Sequence, residues 1–336
     1  MNDKTYVVGY DIGGTKCAAV FAAVTDGEQK VSSSSSNAPG GITFLGRAEF
    51  PTRGTWEQVL NRLIQEAGAL LEKNGLSFRR VKAAGVSCGG PLDSKRGLIL
   101  SPPNLPGWDG VSVTEYLAQK SGIPAKLRND ADAGAVAEYK FGAGRGYENV
   151  LFLTFGTGLG CGMVLNGRLY SGANDGAGEA GHIRLESFGP VGYGKAGSFE
   201  GFCSGGGIRE LGKQYALEKL QAGKPASFCP RPEEIDKITA KNLAELAKAG
   251  DADATDVYRV CGEHFGKGLA VLVDLLNPEI IIAGGVYMRS HELIYPHAMK
   301  VLEREALPLN LKSCKIVPSA LGEKIGDYAA VSVALL

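Results

Sequence analysis

The segment Asp11-Ile12-Gly13-Gly14-Thr15-Lys16 brings several phosphate-binding residue types into one short turn. Adjacent glycines allow successive backbone N–H groups to point into one concavity, which suits an anion. Thr15 adds a hydroxyl donor and Lys16 a positive charge. Asp11 can hold Mg²⁺ through water, because magnesium keeps most of its hydration shell. The turn fits neither the Walker A nor the Rossmann pattern, and taken alone it is equally compatible with a plain β-hairpin turn.

A second glycine-rich turn, Gly156-Thr157-Gly158-Leu159-Gly160, also lies between two apolar segments. The order of apolar strand, glycine-threonine turn and apolar strand therefore occurs twice, which indicates two similar domains. Gly284-Gly285 follows an apolar strand and offers an adenine ring a flat surface. We expect the two turns to face a shared cleft and to hold a polyphosphate from both sides, although any one of the three segments is more often structural.

Hydrophobic spacing predicts the elements that position these turns. We expect strands at residues 6–10, 17–24, 42–50, 81–86, 125–127, 150–155, 161–165 and 280–283, and helices at 56–72, 113–122, 132–141, 208–220, 239–249, 255–276 and 326–336. This alternation is typical of an α/β architecture. A length of 336 residues favours two domains, which we place at 1–128 and 129–325, with helix 326–336 packing back onto the first. Residues 25–41, with Ser32 to Ser36, are expected to form a long loop.

The overall charge limits which binding partners are expected, and the cysteine content indicates the cellular compartment. Lys plus Arg and Asp plus Glu both number 36, and this balance argues against a nucleic-acid partner or an anionic membrane surface. The seven cysteines form no C-x-x-C pair, and neither a signal peptide nor an apolar run of membrane-spanning length is present. We therefore expect a cytoplasmic protein with reduced thiols.

Six motifs, in their order along nearly the whole chain, resemble the ROK family of sugar kinases and repressors. They are D-I-G-G-T-K at 11–16, G-V-S-C-G-G-P-L-D at 85–93, N-D-A-D-A at 129–133, F-G-T-G-L-G at 155–160, G-E-A-G-H at 178–182 and A-G-G-V at 283–286. The resemblance implies two similar actin-like ATPase (ribonuclease H-like) α/β domains around a central cleft, with ATP and Mg²⁺ as cofactors.

The resemblance also implies roles for individual residues. Asp130 matches the base that accepts the proton of the attacking sugar hydroxyl, and in phosphoryl transfer one such carboxylate is enough to orient the nucleophile. Asp130 could at the same time cap the helix predicted at 132–141. The implied sugar ligands are Gly90, Asn104, Asn129, Glu179, His182 and Glu200. The implied nucleotide and phosphate ligands are Asp11, Gly13, Gly14, Thr15, Lys16, Thr157, Gly158, Gly284 and Gly285, with Asp11 also holding Mg²⁺ through water.

Residues 191–200 depart from the family pattern C-x-C-G-x-x-G-C-x-E, in which three cysteines and the histidine that matches His182 bind zinc. Val191, Tyr193 and Ser198 occupy the cysteine positions, and none of these side chains is a good zinc ligand. We predict that zinc is absent and that packing holds the loop, with Tyr193 as a wedge. His182 is then free to serve the sugar alone.

The function that these implications favour is ATP-dependent phosphorylation of a free hexose at its C6 hydroxyl, glucokinase-like, in a homodimer. One alternative is a sugar-sensing regulator, but Asp11 leaves no room before it for the DNA-reading helix pair that such relatives carry. Another is a polyphosphate-dependent sugar kinase, against which Gly284-Gly285 favours a nucleoside. The sequence does not choose among glucose, mannose, fructose, allose and N-acetylated hexosamines.

Overall fold

The structure is a computed structural model that describes residues 4–25 and 41–336. The segment Ser32 to Ser36, predicted to be part of a long loop, lies outside the described residues. In the described part of the chain, none of the helices combines the length and the apolar character that crossing a bilayer requires.

Strands and helices alternate along the described chain, as the hydrophobic spacing predicts. The strands are β1 (Lys4–Ile12), β2 (Lys16–Thr25), β3 (Ile42–Pro51), β4 (Val81–Cys88), β5 (Leu92–Asp93), β6 (Leu98–Leu100), β7 (Asp109–Ser112), β8 (Ala125–Asn129), β9 (Val150–Phe155), β10 (Leu159–Leu165), β11 (Arg168–Leu169), β12 (Val191–Gly192), β13 (Lys195–Ala196), β14 (Ile280–Ala283) and β15 (Lys315–Pro318). The helices are α1 (Trp56–Lys73), α2 (Val113–Ser121), α3 (Asp130–Phe141), α4 (Phe199–Phe202), α5 (Gly205–Gln221), α6 (Ala240–Lys248), α7 (Ala252–Leu276), α8 (Gly285–Arg289), α9 (His291–Glu305), α10 (Pro308–Ser313) and α11 (Ile325–Ala334). Short 3₁₀ turns occupy Phe78–Arg80, Ala180–His182, Pro232–Lys237 and Gly322–Lys324.

Two five-stranded sheets share one topology. The first runs β3-β2-β1-β4-β8 and the second β11-β10-β9-β14-β15, so each has the order third, second, first, fourth, fifth. In the first sheet β1 pairs antiparallel with β2 and parallel with β4, which pairs parallel with β8. In the second, β14 pairs parallel with β9 and β15. The repeated topology agrees with the sequence repeat, and the α/β architecture is confirmed.

Contacts between Cα atoms divide the chain into two compact units. The first comprises residues 1–146, 162–177 and 323–336, and the second comprises residues 147–161 and 178–322. The boundary predicted from the sequence lies before Asn129, whereas this division keeps α3 with the first unit. The reason is packing, because α3 contacts α11 and β8 of that unit.

Glycines allow α11 to lie directly on the first sheet. A Cβ atom on Gly9 of β1 would come within 2.9 Å of the Cβ of Ala330, and one on Gly85 of β4 would overlap the carbonyl oxygen of Ala330 and the N–H of Ala334. The buried face of the helix, from Tyr328 to Ala334, covers this part of the sheet. The backbones of helix and sheet therefore meet with no side chain between them.

We expect Gly85→Ala to lower the free energy of unfolding by about 1–3 kcal/mol, because the added methyl must displace the backbone of α11. Urea unfolding followed by circular dichroism measures the change. The matched control is Gly68→Ala in α1, where an added Cβ meets only a ring carbon of Phe78 at 3.7 Å. That variant should gain up to about 1 kcal/mol from helix propensity. Equal stability of the two variants would contradict the packing argument.

Candidate active site

The first group of predicted residues lies at the carboxyl ends of the parallel strands of the first sheet. Strand register places Asp11 of β1 opposite Ser87 of β4, and Cys88 of β4 opposite Asn129 of β8. In open α/β sheets ligands bind at this edge. The fold thus brings together the turn after β1, the turn after β4 and the start of α3, which lie far apart in the sequence.

The turn from Gly13 to Thr15 joins β1 to β2 and is held by hydrogen bonds from Thr52. Thr52 Oγ1 donates to the carbonyl of Gly13 at 2.6 Å, and Thr52 N–H donates to the carbonyl of Thr15 at 3.0 Å. In the described structure the N–H groups of Gly14 and Thr15 have no protein acceptor. Two neighbouring free donors are what a phosphate cradle requires.

Asn104 and the glycine turn after β4 lie beside the turn from Gly13 to Thr15, at the same edge of the first sheet. A Cβ atom on Gly14 would overlap the carbonyl oxygen of Asn104, so only glycine allows these two loops to approach. The Asn104 amide lies near Gly89, and the Asn129 amide would be 3.1 Å from a Cβ on Gly90. The structure therefore gathers the predicted sugar and phosphate residues of the first unit into one contiguous patch.

Asp130 is the first residue of α3, and it is an exposed residue even though the protein around its carboxyl removes part of the hydration of that group. The prediction that Asp130 itself caps the helix is wrong, because the capping side chain is Asn129, whose Oδ1 accepts from the N–H of Ala131 at 2.9 Å. Asp130 Oδ1 also accepts from Ala131 N–H, at 2.8 Å. Loss of hydration raises the pKa of Asp130, and this hydrogen bond opposes the rise.

Asp11 lies in a cluster of like charges. Loss of hydration raises its pKa to about 6, and the charges of Asp130 and Asp327 add to the rise, whereas those of Arg47 and Lys16 oppose it. Arg47 Nε donates to Asp327 Oδ1 at 2.9 Å. Neither Arg47 nor Asp327 is among the predicted site residues, and no sequence signal marks them, because 280 residues separate the pair.

In the second unit the turn Gly156-Thr157-Gly158 rests on the N-terminus of α5. The N–H of Gly205 donates to the carbonyl of Gly156 at 2.7 Å, and that of Gly206 donates to the carbonyl of Thr157 at 3.2 Å. The donors of the helix end thus fix the turn. The N–H groups of Thr157 and Gly158 themselves have no acceptor in the described chain, so this turn matches the first in its free donors.

Gly284 and Gly285 follow β14, the parallel neighbour of β9 that leads into this turn. Gly285 has a φ of 57°, and a Cβ there would overlap the carbonyl oxygen of Phe155. Both the positive φ and the close approach require glycine at this position. The predicted nucleotide residues of the second unit therefore share one sheet edge.

Glu200 is hydrogen-bonded next to the turn Gly156-Thr157-Gly158. Its Oε2 accepts from Leu159 N–H at 2.9 Å and would lie 2.6 Å from a Cβ on Gly158. A Cβ on Gly181 would lie 3.2 Å from the Cβ of Glu200, which places the 3₁₀ turn Ala180–His182 beside it. His182 and Glu179 are both exposed. The predicted sugar residues of the second unit are thus neighbours.

The loop that departs from the family's zinc pattern is held by packing, but the prediction of Tyr193 as its wedge is wrong. Tyr193 is 72% exposed, and Val191 is 57% exposed. The anchors are Ser198 and Phe199, both fully buried. Ser198 Oγ caps α4 by accepting from Gly201 N–H at 3.1 Å, and the Phe199 ring packs onto Gly268 of α7.

Asp132, on α3, is a buried carboxylate that is not among the predicted site residues. It is 4% exposed and accepts a hydrogen bond from Ser171 Oγ at 2.5 Å. Loss of hydration raises its pKa to about 6, with the charges of Asp175 and Asp130 adding to the rise and Ser171 and Arg128 opposing it. The folded protein therefore disfavours the ionised form of the Asp132 carboxyl.

Comparison with known proteins places the chain in a family. Residues 7–335 match the model of the ROK family, and a glucokinase from Streptomyces coelicolor is 30% identical over 97% of this chain and 96% of its own length. The chain belongs to the ROK family. A xylose repressor from Caldicellulosiruptor bescii is 26% identical over 86% of this chain and 71% of its own length.

A solved ROK family structure confirms the fold. The glucokinase from Streptomyces griseus, in complex with glucose and AMPPNP, is 30% identical, covers 99% of both chains and has a TM-score of 0.73. The predicted family and its actin-like α/β fold are therefore confirmed. The roles assigned to individual ROK residues stay predictions.

We expect Asp132→Asn to stabilise the protein at pH 7.5 by about 1–2 kcal/mol. An aspartate whose folded pKa lies above its unfolded value makes the native state lose stability as the pH rises, here from about 4 to about 6. Asparagine cannot ionise and keeps an oxygen for Ser171. Urea unfolding at pH 4.5 and 7.5 should show a gain that is largest at pH 7.5, while the exposed control Glu303→Gln should show none. A loss of stability at pH 7.5 would refute the expectation.

Proposed function

We propose that this ROK protein is an ATP-dependent kinase that phosphorylates a free hexose at its C6 hydroxyl. The observation that carries the proposal is the strand register of the first unit, which brings Asp11 and the turn that follows it to the same sheet edge as Asn129 and Asp130. A carboxylate at the edge that also holds a phosphate-binding turn is the arrangement that phosphoryl transfer needs, because it orients the nucleophile next to the transferred group.

ATP fits the free backbone donors of the two glycine turns. Each turn presents two neighbouring N–H groups, at Gly14 and Thr15 and at Thr157 and Gly158. Negative charge is further favoured at the second turn because the positive end of the α5 dipole abuts it. The S. griseus glucokinase was solved with AMPPNP, which supports ATP over inorganic polyphosphate as the donor. We assign Gly284 and Gly285 to the adenosine.

Mg²⁺ fits the acidic cluster around Asp11. Loss of hydration and the charges of Asp130 and Asp327 raise the pKa of the Asp11 carboxyl, and a divalent cation would stabilise its ionised form. In the described residues no three His, Cys, Asp or Glu side chains converge to hold a metal, so a cation here would be bound mostly through water and phosphate oxygens, as magnesium commonly is. The cation would neutralise the charge that develops on the transferred phosphoryl group.

The sugar is assigned to side chains that provide both donors and acceptors. These are Gly90, Asn104 and Asn129 in the first unit and Glu179, His182 and Glu200 in the second. A polyol needs both kinds of partner, since each hydroxyl donates one hydrogen bond and accepts others. Asp130 would accept the proton of the attacking hydroxyl, and its raised pKa brings the carboxyl closer to the working pH of a general base.

Zinc does not fit the loop at residues 191–198. Val191 and Tyr193 offer no ligand atom that zinc prefers, and the Ser198 hydroxyl is engaged as the cap of α4. We propose a zinc-free loop, held by Ser198 and Phe199. We also propose a cytoplasmic homodimer, for which the seven free, buried cysteines support the reducing compartment.

The regulator is the second candidate, because the chain resembles a repressor as well. Two observations favour the kinase. The chain is 30% identical to the S. coelicolor glucokinase and 26% identical to the C. bescii repressor, and the residue that matches the catalytic base is present as Asp130.

An ADP-release assay over a panel of hexoses tests the proposal directly. We expect turnover with ATP and Mg²⁺ on at least one of glucose, mannose, fructose, allose and N-acetylated hexosamines, with the product phosphate on C6 by NMR. Polyphosphate should not replace ATP, and a zinc-selective chelator should leave the rate and the melting temperature unchanged. Absence of turnover with every sugar would reject the kinase, and loss of activity with the chelator would reject the zinc-free loop.

We expect Asp130→Asn to lower kcat by about 10²–10⁴-fold, because an amide cannot accept the proton of the attacking hydroxyl. The dissociation constant of the sugar, measured by calorimetry without ATP, should change little, since asparagine keeps the shape of the side chain. The control is Asp236→Asn, a surface carboxylate whose side chain is 93% exposed, which should retain normal kcat. Near-normal turnover of Asp130→Asn would remove Asp130 from the role of base.

A further inference from the structure

Tyr193 stands at the tip of a two-residue hairpin turn that tyrosine does not favour. Strands β12 and β13 pair Gly192 with Lys195, so the turn consists of Tyr193 and Gly194, with φ angles of 43° and 75°. A turn with positive φ at both positions is normally built from Asn-Gly or Gly-Gly. The chain therefore keeps a bulky residue in a strained backbone conformation.

Burial does not explain the presence of this ring. Tyr193 is 72% exposed, so the hydrophobic gain that usually accompanies an aromatic side chain is mostly missing. Backbone strain without a compensating gain in packing is more common at functional positions than elsewhere. The ring does have one described aromatic neighbour, His182, at a centroid distance of 6.2 Å and an interplanar angle of 73°.

The hairpin is anchored next to the residues assigned to the sugar. Lys195 Nζ donates to the carbonyl of His182 at 2.7 Å. On the other side, a Cβ on Gly192 would lie 2.6 Å from the N–H of Gly201, beside Glu200 in α4. The hairpin that carries Tyr193 is thus anchored beside His182 and the backbone of Glu200, and its ring lies near His182.

From this geometry we infer that Tyr193 is a specificity-determining residue that packs against the apolar C–H face of the bound hexose. The inference rests on the proposed function. Glu179, His182 and Glu200 can pair with hydroxyl groups, but they leave the C–H face of a pyranose without an apolar partner. Aromatic rings commonly provide that surface in binding sites, where a few polar groups fix the orientation of the ligand.

Tyr193→Asn separates this role from a structural one. Asparagine suits the turn better than tyrosine, so a purely structural residue would give equal or higher thermal stability and unchanged kinetics. We expect the melting temperature to be retained, KM for D-glucose (or for the best hexose of the panel) to rise about tenfold, and KM for ATP to stay the same. Tyr193→Phe should keep KM for the sugar within about twofold, because the ring face remains.

The matched control is Phe188→Asn, which removes another exposed aromatic ring, 83% exposed, from the neighbouring segment. It should leave KM for the sugar unchanged. Calorimetric binding of the same hexose without ATP gives an independent readout. If the wild type phosphorylates the hexose and Tyr193→Asn binds it as tightly, the inference about Tyr193 is wrong while the kinase stands. If the wild type neither binds nor phosphorylates any hexose, the proposed kinase function and the inference about Tyr193 are both wrong.

Discussion

Parallel backbone pairing of β1, β4 and β8 determines where the chemistry of this protein can occur. Register between these strands brings Asp11, the turn after Cys88 and Asn129 to one edge of the first sheet, and α3 begins there with Asp130. A shift of one residue in any of these pairings would turn the side chains to the opposite face. Gly9 and Gly85 let the backbone of α11 lie directly against β1 and β4. The helix therefore packs on these two strands.

The same edge concentrates negative charge, and this has an energetic cost. Loss of hydration raises the pKa of Asp11, and the charges of Asp130 and Asp327 raise it further. Asp132 is a further buried carboxylate on α3. Arg47 compensates part of this charge through its ion pair with Asp327. A stability optimum alone would not favour such a cluster, and carboxylates with shifted pKa values are typical of functional sites.

Much of the architecture could be predicted, because apolar periodicity and glycine turns are local signals. The strands of both sheet centres and the helices α1, α3, α5 and α7 lie within a few residues of their predicted bounds. Helix α9 was missed because Pro296 interrupts its pattern, and β15 because it is short and only partly buried. The ion pair of Arg47 with Asp327 depends on tertiary contact alone. The exposure of Tyr193 could not be predicted either, since a loop's amino-acid content does not reveal which of its side chains point inward.

The position of α11 has a consequence for biosynthesis. This helix is built from residues 325–334 but completes a unit that begins at the first strand. Since the ribosome delivers the chain from its N-terminus, β1 and β4 must wait, with one face uncovered, until the rest of the polypeptide has emerged. The second unit can collapse earlier, because its last segment, ending at residue 322, is translated before the helix that the first one needs.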